Sequence, residues 1–503
     1  MGNATFVGID LGTANCCLAY TSGDGTTSIL DYDGKEDIMP SVVTFTDEGI
    51  YVGKEAMAVQ HVMGSWNTVS HFKRVMGEDV FRVFNGVKYS PTELSSIVLT
   101  KMMMRYKEVT GQDIRQAVIT IPSDYGDVER HSTYNAAKIA GIEDIFLLSE
   151  SLAAAISYGM SKGFGKERNV IIYDLGTGTL DVAVVNIKDG MFKVLADESN
   201  KDIGGRDWDL QLASIIQKKV LDSLGMTSAE VISDSEFRRD VMNITDVVKL
   251  ELETSTKVTR SVSLNGNSVE FTVSRDEFEE STSWLMAKTI EMIGHALRNA
   301  DLKMSDIDTI VLVGGSSMML QVPREIRGAF PSSEIVPFMQ QYAIATGASI
   351  YAESLFGDVQ RIEAIPVMTK TYGFMAGIDG VERICNVVFK NSPIPNEVKL
   401  TCRPKRDDQG ELELKIYESL SKRGESYIGD SDAKLVKVFR IPLNGKVSRG
   451  RTRIQIRVYT NEHGKVRFFV GCNGEETELT FIDEIKLTQE EILESRAKME
   501  AVL

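Results

Sequence analysis

The sequence predicts a two-lobed α/β domain followed by a β-sandwich, and three observations carry that prediction. Residues 6–20 (FVGIDLGTANCCLAY) read as an apolar strand, an Asp, a Leu-Gly-Thr turn and a second apolar strand. Residues 170–185 (VIIYDLGTGTLDVAVV) repeat the plan, with Asp174 in the place of Asp10. Strand and helix patterns alternate with short links up to Gly357. Beyond that point helical periodicity gives way to period-two runs separated by polar turns, the pattern of a sandwich.

Taken in order, the first hairpin ends its leading strand on Asp10. A glycine turn lets consecutive backbone N–H groups converge on an anion, and a carboxylate beside it supplies a hard oxygen ligand for Mg²⁺. A single turn of this kind is more often an ordinary hairpin. Its duplication some 160 positions apart points to two related halves that can close on one phosphate chain. Residues 40–51 form a short strand and turn, and Lys73 follows in HFKRVMG, where read locally it is a solvated charge. Residues 91–111 read as a helix, with Pro91 in the first turn and Gly111 at the end. A strand at 116–121, a helix at 128–141 and a strand at 145–148 follow, with Glu150 where that strand gives way to the helix LAAAISYG.

The second hairpin opens the second half. IGGRDWD (203–209) precedes helical stretches at 208–224 and 235–254; on the latter, Asp246 and Lys249 are three apart and read as a surface pair. A β-rich insertion (257–273) and a helix (276–300) lead to the strand 309–313, which runs into Gly314-Gly315-Ser316-Ser317. Strand, Gly-Gly, then helix brings backbone against a phosphate or planar ligand. The small-residue helix AIATGASIY (343–351) closes this half. Strands are expected at 412–417, 435–441, 452–459 and 465–471, and a helix over 487–503 with Thr488 as N-cap and Glu491 three later.

Charge divides the same way. Residues 359–503 hold 24 Lys and Arg against 22 Asp and Glu, so +2 of the net −16, leaving −18 for the first 358 residues. That imbalance argues against nucleic acid as the partner of the first domain. The five cysteines show no CxxC spacing, as in buried cytosolic thiols. With no leader-like start before Phe6 and no run of membrane-spanning length, the expected location is cytoplasmic or nuclear.

These motifs, in this order, resemble the heat-shock protein 70 chaperone family, whose fold is the actin-like (ribonuclease-H-like) two-lobed ATPase domain followed by a β-sandwich. GIDLGTAN is similar to its first phosphate loop, YDLGTGTLD to its second, IGGRDWD to the segment after it and VLVGGSS to its adenosine loop. The resemblance implies an ATPase domain at 1–357 (lobes about 1–165 and 166–357), a linker at 358–366, a peptide-binding-like sandwich at 367–486 and the start of a helical lid at 487–503. It implies ATP or ADP, Mg²⁺ and K⁺ as cofactors. Asp10 and Asp174 would hold Mg²⁺ through water, Lys73 would offset charge on the γ-phosphate, and Glu150 would help place the attacking water. With Asp10, Lys73, Glu150 and Asp174, Thr179 completes the catalytic set. Gly12, Thr13, Ala14, Gly176, Thr177 and Gly178 would cradle phosphates. Gly204, Gly205, Asp246, Lys249, Gly314, Gly315 and Ser316 would line the nucleotide, and Ile384 and Leu412 the peptide pocket. The implied partners are unfolded or nascent polypeptide, a J-domain protein and a nucleotide exchange factor, with no membrane and no DNA.

The departures from the family pattern are specific. Leu250 and Met318 stand where the family grips adenine between two arginines, Thr177 where the second loop has a third glycine, and Gln341 where an Asp is usual. The linker reads Arg361-Ile362-Glu363-Ala364-Ile365-Pro366, and a proline there predicts weaker strand-like docking. Phe146 replaces an Arg that often meets the J-domain, and the loop 402–408 (CRPKRDD) is polar where it should arch over peptide. Arg449, Arg451, Arg453 and Arg457 alternate as a basic stripe. These support an alternative: a catalytically weak, non-cycling member acting as a scaffold with a J-protein, in contact with the ribosome.

Overall fold

In a computed structural model, the structure describes residues 5–500 apart from 33, 35–36, 64–66, 164, 229–233, 359, 379–380, 422–423, 427–432, 444–446, 462–463, 473–474 and 480–486. The chain forms two compact units, one of Met1–Arg168, Ala183–Asp197 and Tyr342–Leu503, the other of Asn169–Val182 and Glu198–Gln341. The sequence assigns residues 342–357 to the second lobe; the structure groups them with the first unit, and glycine explains why. A Cβ on Gly8 would lie 2.1 Å from the Ser349 nitrogen, and one on Gly347 would lie 1.7 Å from the Ala153 carbonyl oxygen. The helix Ala343–Phe356 therefore rests backbone to backbone on the strand Thr5–Leu11 and on the helix Glu150–Lys162. Small residues there are a packing requirement.

The first unit's sheet runs in the order Asp144–Ser149, Gln116–Ile121, Thr5–Leu11, Asn15–Ser22, Thr27–Ile29. Thr5–Leu11 pairs antiparallel with Asn15–Ser22 and parallel with Gln116–Ile121, so the Asp10 hairpin sits mid-sheet. The helix Pro91–Thr110 starts on a reciprocal cap: Glu93 N donates to Ser90 Oγ at 3.2 Å while Glu93 Oε2 accepts from Ser90 N at 2.8 Å. It stops at Gly111, whose φ of 73° is left-handed. In the second unit Val170–Asp174 pairs parallel with Thr309–Val313, which pairs parallel with Glu334–Pro337. The helices Gly205–Leu224, Ser235–Leu252 and Arg275–Asn299 and the hairpin Lys257–Leu264/Asn267–Ser274 complete it. No helix among the described residues is long and apolar enough to cross a membrane.

The alternating tail forms two sheets within the first unit. One holds Glu425–Ser426, Val381–Val388, Thr371–Ile378, Glu411–Ser419 and Lys434–Pro442; the other holds Asn396–Cys402, Ile454–Thr460, Val466–Cys472 and Glu475–Leu479. Phe374, Leu414, Ile416, Ile454, Ile456, Val458, Phe468 and Val470 fill the core. The linker departs from expectation. Glu363–Ile365 pairs parallel with Met191–Lys193, and Pro366 falls just beyond that strand, where its missing N–H costs no ladder bond.

The terminal helix, Gln489–Glu500, is capped as the sequence indicates, by Thr488 and Glu491; residues 501–503 lie outside the described residues. It is no lid over the sandwich. Met499 is buried in the core with Leu94, Ile97 and Val98. Arg496 donates to the carbonyls of Lys138 (2.8 Å) and Ile139 (3.1 Å), at the C-terminal end of the helix Asp127–Ala140, and Lys498 pairs with Glu93 at 2.7 Å. Met499→Ala is expected to cost about 2–5 kcal/mol through the cavity it leaves, read as a lower urea midpoint. A midpoint unchanged from wild type would mean that the helix does not hold this position in solution.

Candidate functional site

In the first unit the hairpin turn is closed by a backbone approach that only glycine permits. A Cβ on Gly12 would lie 2.0 Å from the Asn15 carbonyl oxygen. Ser41 Oγ donates to the Gly12 carbonyl at 2.8 Å, and Ser41 N donates to the Ala14 carbonyl at 2.8 Å. Thr13 lies between these anchored residues, half-buried.

The local reading of Lys73 as a solvated charge is overturned. It lies in the short 3-10 helix Phe72–Val75 and is 3% exposed, and its Nζ is 2.7 Å from Glu150 Oε1, with Glu150 itself 8% exposed. The Tyr125 ring lies 5.9 Å from the ammonium, and the Tyr125 hydroxyl donates to the Lys73 carbonyl at 3.0 Å. Burial pulls the Lys73 pKa down, but Glu150, Tyr125 and Asp10 outweigh it and the net shift is upward, so the ammonium persists. Asp10 accepts from Thr120 Oγ1 at 3.1 Å. Burial, then the charge of Glu150, pushes its carboxyl up to about 7, against the opposing pull of Lys73 and Thr120. The buried Lys73–Glu150 pair lies within the electrostatic reach of Asp10, and an ionised Asp10 leaves one negative charge in excess, which suits a cation.

In the second unit three separate glycine motifs meet. Gly176 N donates to Thr179 O (3.0 Å), Gly205 N to Gly176 O (2.9 Å) and Arg206 N to Thr177 O (2.9 Å). A Cβ on Gly204 would lie 2.6 Å from Thr177 O, and one on Gly205 would lie 2.0 Å from Ser316 Oγ. One on Gly314, whose φ is 81°, would lie 2.4 Å from Asp174 Oδ1 and from Leu175 O. The segments around 174–179, 204–206 and 314–316 thus form one small-walled cradle beside the buried Asp174. Thr177 does not disturb it: it is absent from the positive-φ positions among the described residues, so the turn does not need a third glycine. Gly315 borders Gln341, whose Nε2 is 3.9 Å from where its Cβ would be.

Lys249 and Asp246 do share a helical face, but the surface pair read from their spacing is not the pair that forms. Lys249 bonds Asp209 on the helix Gly205–Leu224. Asp246 is exposed on its helix, and partial desolvation, then the charge of Asp209, raises its pKa.

Several contributors went unread. Thr120 is hidden inside an apolar strand, Tyr125 follows a proline turn, and Asp209 ends IGGRDWD. The buried Asp181 lies two residues past Thr179 inside the motif YDLGTGTLD, which is its one legible signal. Among the described residues no three His, Cys, Asp or Glu side chains are grouped closely enough to enclose a metal.

The structure does not bring Ile384 and Leu412 together. Cys385 and Phe374 are cross-strand partners and both pack on the sandwich core, as do Leu412, Leu414 and Ile416 on their strand. Ile384 is out of phase with Cys385 and pairs with Met375, so it points to the opposite face of the sheet. The polar loop after Cys402 is tied down by Lys405 to Glu382 (2.7 Å) and by Arg449 N to Asp407 Oδ1 (2.8 Å). The basic stripe is shorter than its sequence spacing implies. Arg449 and Arg451 lie in the turn before Ile454–Thr460, and Arg457 is ion-paired to Glu476 (2.7 Å) and Glu397 (3.3 Å) and lies 3.7 Å over the Phe469 ring. Phe146 packs edge to face against Tyr351 at 5.4 Å.

Comparison with known proteins covers nearly the whole chain. A family model described as Hsp70 protein matches residues 6–83 and 80–502. The chain is 31% identical over 502 residues to the chaperone protein DnaK of Thermotoga neapolitana, covering 97% of this chain and 82% of that one. The DnaK proteins of Thermotoga petrophila and Thermotoga maritima match at the same identity and coverage.

Proposed function

The chain belongs to the Hsp70 family of ATP-binding chaperones, and from that premise we propose that it hydrolyses ATP to ADP and phosphate and uses the nucleotide to govern capture of extended, unfolded polypeptide by its β-sandwich. The observation that carries the reading is the buried ion pair of Lys73 and Glu150 with Asp10 near it, beside a glycine-closed turn. Phosphoryl transfer to water asks for positioning and charge neutralisation more than covalent help. Lys73, held in place by Glu150, presents a permanent positive charge to the phosphate being transferred. Glu150 keeps a second oxygen with which to orient water. The N–H groups of the glycine turns face phosphate oxygens, and Thr179 closes the second turn. Asp10 and Asp174 would hold magnesium through water. Magnesium, when bound, supplies charge neutralisation on the phosphate oxygens. A J-domain protein and a nucleotide exchange factor are the proposed regulators, and the cytoplasm is the proposed location.

Single-turnover hydrolysis with the full chain tests this. Asp10→Asn is expected to slow turnover at least about tenfold. Asp10 ionises near pH 7, so wild-type turnover should fall as pH drops below 7 and the carboxyl takes up its proton, while the Asn variant loses that step. Background hydrolysis in both proteins, with ATP bound, overturns the reading in favour of a non-cycling scaffold.

A further inference from the structure

Two loops close the same end of the β-sandwich. One, 403–410, links Asn396–Cys402 to Glu411–Ser419; the other, 443–453, links Lys434–Pro442 to Ile454–Thr460. Cys402 pairs with Ile454 and Glu411 with Pro442, so both loops leave from that end. Hydrogen bonds hold one loop to the other: Arg449 N donates to Asp407 Oδ1 at 2.8 Å, and Asp408 N to the Val447 carbonyl at 2.7 Å. Each is also braced within itself. Lys405 N donates to Gln409 Oε1 at 2.8 Å, and Ser448 N to Thr452 Oγ1 at 2.9 Å.

This joining gathers charges that the sequence keeps far apart. Arg403, Lys405 and Arg406 from one loop and Arg449, Arg451 and Arg453 from the other are all exposed. Set against them within the two loops are Asp407 and Asp408. Lys405 is paired with Glu382 at 2.7 Å, and Arg453 folds back on the Gly450 and Thr452 carbonyls of its own turn. Arg403, Arg406, Arg449 and Arg451 have no ion-pair partner among the described residues. A braced surface that holds four uncompensated guanidinium groups is electrostatically costly until an anionic partner meets it.

We propose that this end of the sandwich binds acidic segments of polypeptide, in which several Asp or Glu side chains reach the four arginines. The proposal rests on the capture of extended polypeptide inferred above and names the chemical class of what is captured. A guanidinium fork matches a carboxylate with two parallel hydrogen bonds, and loops already braced lose little freedom on binding. Nucleic acid fits the surface less well. Neither loop contains a Phe, Tyr, Trp or His on which a base would stack. The chain's net charge of −16 also repels a polyanion longer than the patch.

Fluorescence anisotropy with the full chain tests this, using a labelled peptide with an apolar centre flanked by glutamates, its glutamine counterpart, and oligouridine RNA. The acidic peptide is expected to bind at least about tenfold tighter than the glutamine peptide at about 0.01 M salt, a preference lost near 1 M. Arg403→Ala/Arg406→Ala and Arg449→Ala/Arg451→Ala alter exposed positions only and should keep the fold. Each should weaken the acidic peptide by about fivefold and leave the glutamine peptide, which reports an intact sandwich, unchanged. Arg457→Gln, whose guanidinium is already paired with Glu476 and Glu397, should leave both unchanged. Equal affinity for the two peptides overturns the proposal and leaves the capture reading standing. A loss confined to one loop's variant overturns the joint surface, and oligouridine bound tighter than the acidic peptide at about 0.15 M salt overturns it in favour of nucleic acid. If neither peptide binds at any salt, the capture reading falls and this proposal with it.

Discussion

Replacing Lys73 with alanine is expected to reduce single-turnover ATP hydrolysis by about two orders of magnitude, the usual effect of losing one preorganised charge at a transition state. The same change removes the partner of a carboxylate that is only 8% exposed. Breaking a buried ion pair from one side costs about 3–5 kcal/mol, because the remaining charge is stranded. The two effects separate with Lys73→Ala/Glu150→Gln. Neutralising the stranded carboxylate should restore much of the unfolding midpoint, while turnover stays below that of Glu150→Gln alone, the control that keeps the cation, because Lys73 is still missing. Recovery of turnover in the double variant would show that Lys73 acts only through structure.

Gly314→Ala should abolish nucleotide binding, with an affinity loss of at least about a hundredfold, or 2.7 kcal/mol. Two costs coincide at this position. The backbone sits at φ 81°, where a Cβ is strained, and that Cβ would lie 2.4 Å from Asp174 Oδ1 and Leu175 O. The segment must move away from the second hairpin or displace Asp174, and either opens the cradle. Gly225→Ala is the control: it also has a positive φ, of 64°, but nothing lies within 4 Å of its added Cβ. If Gly314→Ala binds ADP as wild type does, the cradle does not contact nucleotide.

Much of the chain is legible because its signals are local. The Gly-turn hairpins, the capped helix Pro91–Thr110, the strand Gln116–Ile121 and the Thr488 cap each depend on residues a few positions apart. Pattern and capping specify such elements before any tertiary contact forms. The strands Thr371–Ile378 and Val381–Val388 were harder to read. Gly373 and Gly377 interrupt the first, and a bulge between Tyr372 and Gly373 breaks the register with the second. The effect of Pro366 is set in the same way, by whether it falls inside the strand or one residue past it, which local pattern does not specify.

By itself the sequence determined the duplicated hairpins, the order of α/β elements, the change to a β-sandwich and the family, because each is written in periodicity or contiguous motifs. Only the tertiary structure decided which side chains meet. Lys73 finds Glu150 across 77 positions, Lys249 finds Asp209 across 40 rather than its helical neighbour Asp246, and Met499 enters a core built from Leu94 and Ile97. The facing of Ile384 and Leu412 to opposite sides of one sheet was decided there too. The physical reason is common to all four. A local pattern states that a residue is apolar or charged, but its partner is set by sheet register and helix packing, which arise only when distant segments are brought together.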